Sequence, residues 1–114
     1  MSQSLTLHTS ELARKYLERT GAEVEELHHL IERIPRGDDG VYRSIEILVH
    51  RIRGSGAMFG YNLISDAALG VESLAVDAKL GLHPDRHAVQ SRLAALARVL
   101  AFVVRMQREE NVDN

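Results

Sequence analysis

The sequence contains no cysteine and no tryptophan, and only two prolines and two phenylalanines among its 114 residues. Without cysteine there is neither a disulfide nor a thiolate metal site, which suits a reducing compartment. With three tyrosines completing the aromatic set, the core has to be built from Leu, Ile, Val and Ala. That mix favours helix packing over a sheet sandwich. Neither sign of charge is in large surplus: 14 Lys and Arg stand against 16 Asp and Glu, a formal net charge of -2. General binding to nucleic acid needs a basic surplus or stripe, so that class is set aside. The longest purely apolar run is "VLAFVV", Val99 to Val104, far short of the roughly 20 residues of a membrane span. The opening "MSQSLTLHTS" has neither the basic start nor the apolar stretch of a secretory signal. Repeats and low-complexity segments are missing as well. The expectation is a soluble, cytoplasmic chain forming one domain over 1–114, long enough to bury roughly two-thirds of its unfolded surface.

Apolar spacing fills in the rest. Thr9 or Ser10 can cap a first helix, with Glu11 in its first turn at the positive end of the dipole. Leu12, Tyr16, Val24, Leu27, Ile31 and Ile34 recur at helical spacing, and Gly21 interrupts them as a candidate bend. Pro35 and "RGDDG" end that segment; Asp38 and Asp39 read as turn residues there rather than as a carboxylate dyad. A second helix is expected from about Val41 to Phe59 and a third from Tyr61 or Asn62 to about Leu80. The third carries Ile64, Ala67, Ala68, Val71, Leu74, Ala75 and Ala78 as its stripe. "GLHPD" breaks the chain, and a fourth helix runs from Pro84 or Asp85 to about Arg108, with Val89, Leu93, Leu96, Leu100 and Val103 as its seam. Four amphipathic segments with short connections predict an all-α, antiparallel up-down four-helix bundle, with room for a short extra N-terminal segment. The run Val99 to Val104 is wider than one stripe. Burial is the expectation for it, a dimer face the alternative.

The second helix carries the informative stretch, "HRIRGSGAMFG". On a wheel of about 100° per residue, Val41, Ile45, Leu48, Ile52 and Phe59 lie opposite His50, so His50 points to solvent. Arg43, Glu46, Gly54 and Ala57 share its face, and Arg53 lies one turn on. Glycine costs roughly 1 kcal/mol against alanine within a helix. At the fourth residue after a histidine it clears one flank of the ring for a bulky partner. Ser55 turns inward, where its hydroxyl can bond back to the Arg51 carbonyl, and Gly56 permits close approach of a neighbouring helix. Exposed imidazole is nucleophilic near neutral pH, and guanidinium groups from Arg53, Arg43 and Arg51 favour a phosphoryl group on it. The alternative is a solvated basic face that includes a histidine.

These residues resemble the motif of histidine-containing phosphotransfer (HPt) domains. That motif has a histidine followed by a basic residue at the third position, glycine at the fourth, serine at the fifth and glycine at the tenth. Here they are His50, Arg53, Gly54, Ser55 and Gly60. The likeness continues through Ile64, Ala68, Val71 and Glu72, where the family has stepped apolar residues and then a glutamate. Arg53 stands where lysine is common, keeping the charge and changing the shape. The resemblance implies that His50 is a phosphoacceptor, attacking through a ring nitrogen (Nε2) the aspartyl phosphate of a receiver domain and passing the group to another receiver. It implies no cofactor of the chain's own, with Mg²⁺ and most catalytic groups on the receiver. The expected partners are receiver domains of response regulators or a hybrid histidine kinase, with no nucleic acid and no membrane, and a monomeric state. Docking would use Ile47, Ala57 and Met58 around His50, Arg51, Gly54 and Arg43; scattered surface hydrophobes are the alternative for Ile47 and Met58.

"GSGAMFG" lacks the lysine and spacing of a P-loop, so neither ATP binding nor kinase activity is expected. His83 and His87 have metal spacing, but Pro84 puts His83 ahead of the helix, and no metal site is expected. His28 and His29 are adjacent and so point about 100° apart. No Ser-His-Asp or Cys-His set can be assembled. A binding module that holds a receiver without taking phosphate is the rival reading; an excised domain of a larger kinase is a third. Met1 and the polar tail "REENVDN" favour a complete small protein.

Overall fold

The computed structural model describes residues 2–38 and 40–113, and the side chains of 11–38 and 40–111. The chain folds into α1 (Ser2–Glu32), a 3-10 turn at Ile34–Arg36, α2 (Val41–Met58), α3 (Asn62–Lys79) and α4 (Arg86–Asp113). No strand occurs among the described residues. Each helix packs on its sequence neighbour, and α4 closes the ring against α1. Paired side chains fix the directions. Glu46 meets Lys79 and His50 meets Glu72 between α2 and α3, while Gln90 reaches the Ile31 carbonyl between α4 and α1. Both pairs are antiparallel, so the expected all-α, up-down four-helix bundle is what forms.

The core is the aliphatic one that the composition demands. Leu17, Leu27, Ile34, Ile45, Ile52, Ile64, Leu93 and Leu100 are fully buried. The buried Thr20 hydroxyl bonds back to the Tyr16 carbonyl at 2.8 Å and so carries no unmet polar group into this core. Gly56 sits where α2 and α3 come closest: a Cβ there would lie 3.1 Å from the Ser65 nitrogen and 3.3 Å from the Tyr61 carbonyl oxygen. Gly60 turns the chain between them at φ 82°, a conformation side chains rarely take. Gly21 lies inside unbroken helix; a Cβ there would come 3.1 Å from an Arg108 guanidinium nitrogen, so it marks close passage of α4.

Several sequence expectations are corrected. The first helix does not begin at Thr9 or Ser10: its backbone is helical from Ser2, so the extra N-terminal segment is simply the opening of α1. Leu12 is 45% exposed rather than buried. The α2–α3 turn comes level with Tyr16, whose ring stacks on Phe59 at 4.5 Å and lies 5.4 Å from Tyr61, so Leu12 lies beyond the end of those two helices. Phe59 falls just past the end of α2 and is half-exposed against Tyr16, not on the core face of the wheel. In α4 the buried set is Val89, Leu93, Ala97, Leu100 and Val104; Leu96 and Val103 are only partly covered. A straight helix of about 3.6 residues per turn drifts off a strict four-three repeat, which moves the seam one residue on at those two steps. The run Val99 to Val104 is therefore split. Leu100 and Val104 enter the core, while Val99 and Phe102 are 54% and 52% exposed. By length and composition α4 is apolar enough to cross a membrane, but here it supplies one wall of the shared core.

Candidate functional site

The second helix presents His50 outward, its side chain 65% exposed, as the wheel requires. Val49 and Ile52, on either side of it in the helix, are fully buried, so the backbone under the histidine is anchored while the ring is free. Gly54, one turn on, has nothing within 4 Å of where its Cβ would be. The glycine leaves open ground beside the ring and makes no internal packing contact.

The ring is oriented by a residue of α3. His50 Nδ1 lies 2.7 Å from Glu72 Oε2, and Arg53 Nε forms an ion pair at 2.8 Å with the other carboxylate oxygen, without hydrogen-bond alignment. A carboxylate only accepts, so Nδ1 carries the proton and Nε2 of the neutral ring keeps its lone pair. Arg53 Nη2 is also 3.3 Å from Nδ1, but a nitrogen already donating its proton has no lone pair to accept with. The Arg53 guanidinium therefore belongs to Glu72. Glu72 is 13% exposed and binds both partners from within the α2–α3 groove. A second bridge in that groove runs from Lys79 Nζ to Glu46 Oε1 at 2.7 Å. It holds the Glu46 carboxyl below its usual range, mainly through the lysine hydrogen bond.

The other sequence-predicted residues divide. Arg43, Arg51, Gly54, Ala57, Ile47 and Met58 are all exposed, Ile47 at 53% and Met58 at 81%. Arg51 leans away from the histidine and pairs with Glu23 of α1 at 2.9 Å, which ties α1 to α2. Ser55 does not bond back to Arg51; its hydroxyl donates to the Ile52 carbonyl at 3.2 Å. Its half-buried place is on the flank of α2 rather than beside the ring.

Two residues were missed as members of the site. Glu72 entered the sequence reading only as the end of a pattern. The turn at Gly60 fixes an antiparallel register in which residue numbers across α2 and α3 sum to a little over 120, which brings Glu72 level with His50. A hairpin count around that glycine would have found it. The same register brings Leu69, 45% exposed, level with Gly54. As an isolated exposed leucine it gave no signal.

The residues set aside stay aside. His83 Nε2 is 3.9 Å from Asp77, and no group of three or more His, Asp or Glu among the described residues is placed to hold a metal ion. Asp38 caps its turn by accepting the Gly40 N–H at 3.0 Å and pairs with Arg33; Asp39 lies outside the described residues.

The sequence model of the Hpt domain matches residues 11–104. The chain belongs to the Hpt domain family. No curated protein and no solved structure matches it. Membership places the protein in two-component phosphotransfer, and Hpt domains act there with receiver domains and histidine kinases, as transfer modules without an ATP site of their own. The match spans α2 and α3 whole, and with them His50, Arg53, Gly54 and Glu72.

Proposed function

We propose that the protein is a phosphorelay intermediate that carries a phosphoryl group on His50 between receiver-domain aspartates. The observation that supports this most is the His50–Glu72–Arg53 arrangement. With Nδ1–H donating to the carboxylate, the Nε2 lone pair of this exposed ring is free to attack, and the arginine pairs with the carboxylate rather than with the nucleophile. In the step itself, Nε2 attacks phosphorus as the bond to the aspartyl carboxylate oxygen breaks, and that carboxylate leaves with the electron pair. The ring becomes an N-phosphoimidazolium whose remaining N–H donates to Glu72, so the positive charge forms beside a carboxylate already in place. Reversal of the same step delivers the group to a second aspartate. Mg²⁺ and the remaining catalytic groups are assigned to the receiver domain, and this reading gives the chain no cofactor or nucleotide chemistry of its own.

The receiver is assigned to the face formed by Ile47, Gly54, Ala57 and Met58, extended by Leu69 across the groove. Its exposed apolar side chains surround an open flank of the histidine, and Arg43 adds positive charge toward an acidic partner. A cytoplasmic location and action on receivers of response regulators or a hybrid kinase follow from the same reading.

The test is transfer from a phosphorylated receiver, followed as an acid-labile, alkali-stable label on the protein. Wild type should label and His50→Gln should not, with helicity by circular dichroism unchanged because residue 50 is outside the core. Label retained in His50→Gln would overturn the assignment. Receiver binding equal in His50→Ala, with no label ever formed on wild type, would make the protein a holding module instead.

A further inference from the structure

No described residue covers the half-exposed apolar run of α4. Between Arg86 and Arg108 the sequence has five arginines and no acidic residue. The outer face of that helix carries Val99, Phe102 and Met106, each at least 41% exposed. The surface continues onto α3 without a gap, because Gly70 lets Leu96 come within 3.7 Å of its Cβ position, and it takes in Leu63 at 61% exposure.

The two edges of this strip differ in charge. On the α3 side, Asp66 and Asp77 fall within about 40° of Gly70 on the helical wheel. On the far side, Arg98 and Arg105 lie about 40° and 60° beyond Phe102, nearer the strip than Glu32 and Glu25 of α1, which line the same grooves, and Arg105 rests its guanidinium 5.7 Å from the Phe102 ring centre. Asp66, Arg98 and Arg105 form no ion pair with a described residue. Because α3 and α4 are antiparallel with Gly70 beside Leu96, Asp66 comes level with Leu100, between the two arginines. Arg92 lies toward Asp77, which leaves Asp66 as the unopposed acid.

We propose that this face is a self-association surface through which two copies pair about a two-fold axis parallel to the helices. Such an axis keeps every residue at its own level and exchanges the edges. Asp66 of one copy then faces Arg98 and Arg105 of the other, twice over, around a seam of Val99, Phe102 and Met106. A two-fold across the helices would set arginine against arginine. The strip runs from Ala88 to Met106, about 27 Å at 1.5 Å per residue, on a molecule 17–19 Å across its short axes. It covers on the order of 1,000 Å² in total, the lower bound for a specific interface, so the dimer is a weak one. The resemblance implied a monomer; this surface makes that state depend on concentration. α4 packs on α1 and α3, with α2 across the core from it, so both His50 rings stay open in the dimer.

Sedimentation equilibrium of the whole chain from roughly 1 µM to 1 mM tests this. The average mass should climb from 12.7 kDa toward twice that value. Phe102→Ser should stay monomeric with unchanged circular dichroism. Asp66→Arg and Arg98→Asp should each weaken association by about tenfold, and the combined variant should recover it. Labelling of His50 should proceed equally in wild type and Phe102→Ser, which separates this result from the fate of the phosphotransfer reading. A mass that stays at the monomer value throughout, or a dimer indifferent to Phe102→Ser, overturns the proposal. So does binding of the monomer to phosphatidylserine vesicles through Phe102, which would make the face a lipid-docking surface.

Discussion

At the residue scale, His50 was readable from the sequence because its neighbours exclude the alternative. Val49 and Ile52 are buried, a helix has only one side left to offer, and a glycine four residues on has no packing reason to be there. What the wheel could not supply is the partner of the ring, since Glu72 is 22 residues away and reaches His50 only through the hairpin register. If His50 is the phosphoacceptor, Glu72 is a positioning residue, acting through the tautomer. Glu72→Gln should slow phosphotransfer by about tenfold or more, about 1.4 kcal/mol of lost transition-state stabilisation. The ring ¹⁵N shifts should show loss of the single Nδ1–H form. A slowed rate with the tautomer unchanged would assign Glu72 a merely structural part. Arg53→Lys keeps the charge opposite Glu72 but loses the planar guanidinium, so it should disturb the tautomer less than Glu72→Gln does.

At the scale of the helices, the α2–α3 pair uses glycines for two opposite purposes. Gly54→Ala meets nothing and should raise thermal stability, by up to about 1 kcal/mol, while Gly54→Leu should fold yet block transfer from a receiver. Gly56→Ala should destabilise by about 1–3 kcal/mol, because the new methyl meets backbone atoms of the α2–α3 turn that cannot swing away. Thermal denaturation of the three variants checks both. The Glu46–Lys79 bridge between α2 and α3 and the Asp38 turn ahead of α2 give the bundle its pH response. Both carboxyls are held below their ordinary values of 4.5 and 3.8, Glu46 mainly by Lys79 and Asp38 mainly by Arg33. Their contribution is thus full above those values and is lost as pH falls through the lowered ones. Melting temperature should be flat from neutral pH down to about 5 and then drop, and Glu46→Gln should flatten part of that drop. These helices were legible as segments because Leu, Ile and Val repeat on one stripe. Phe59 and Leu12 were misplaced because they sit where a helix or its neighbour ends, and a wheel has no ends.

At the scale of the whole molecule, α1 and α4 span 31 and 28 residues against 18 each for α2 and α3, and the long axis is 55 Å. A bundle of unequal helices cannot bury every apolar residue of the longer pair. That is why Leu12 and Met106 are exposed; the Val99 to Val104 run is only partly buried because Val99 and Phe102 lie on the side of α4 away from the core. The sequence could not show which side of that run faces out, because nearly all of it is apolar and its phase is set by contacts with α1 and α3. The division of surfaces that results puts an open histidine on α2 and an apolar, arginine-edged face on α4.

The most direct test of the central claim is NMR of the protein after phosphoryl transfer from a receiver, correlating ³¹P with the ring nitrogens. One phosphohistidine among the six histidines is expected, at His50, with phosphorus on Nε2 and the Nδ1 proton retained. Phosphorus on Nδ1, on another histidine, or on none would contradict it.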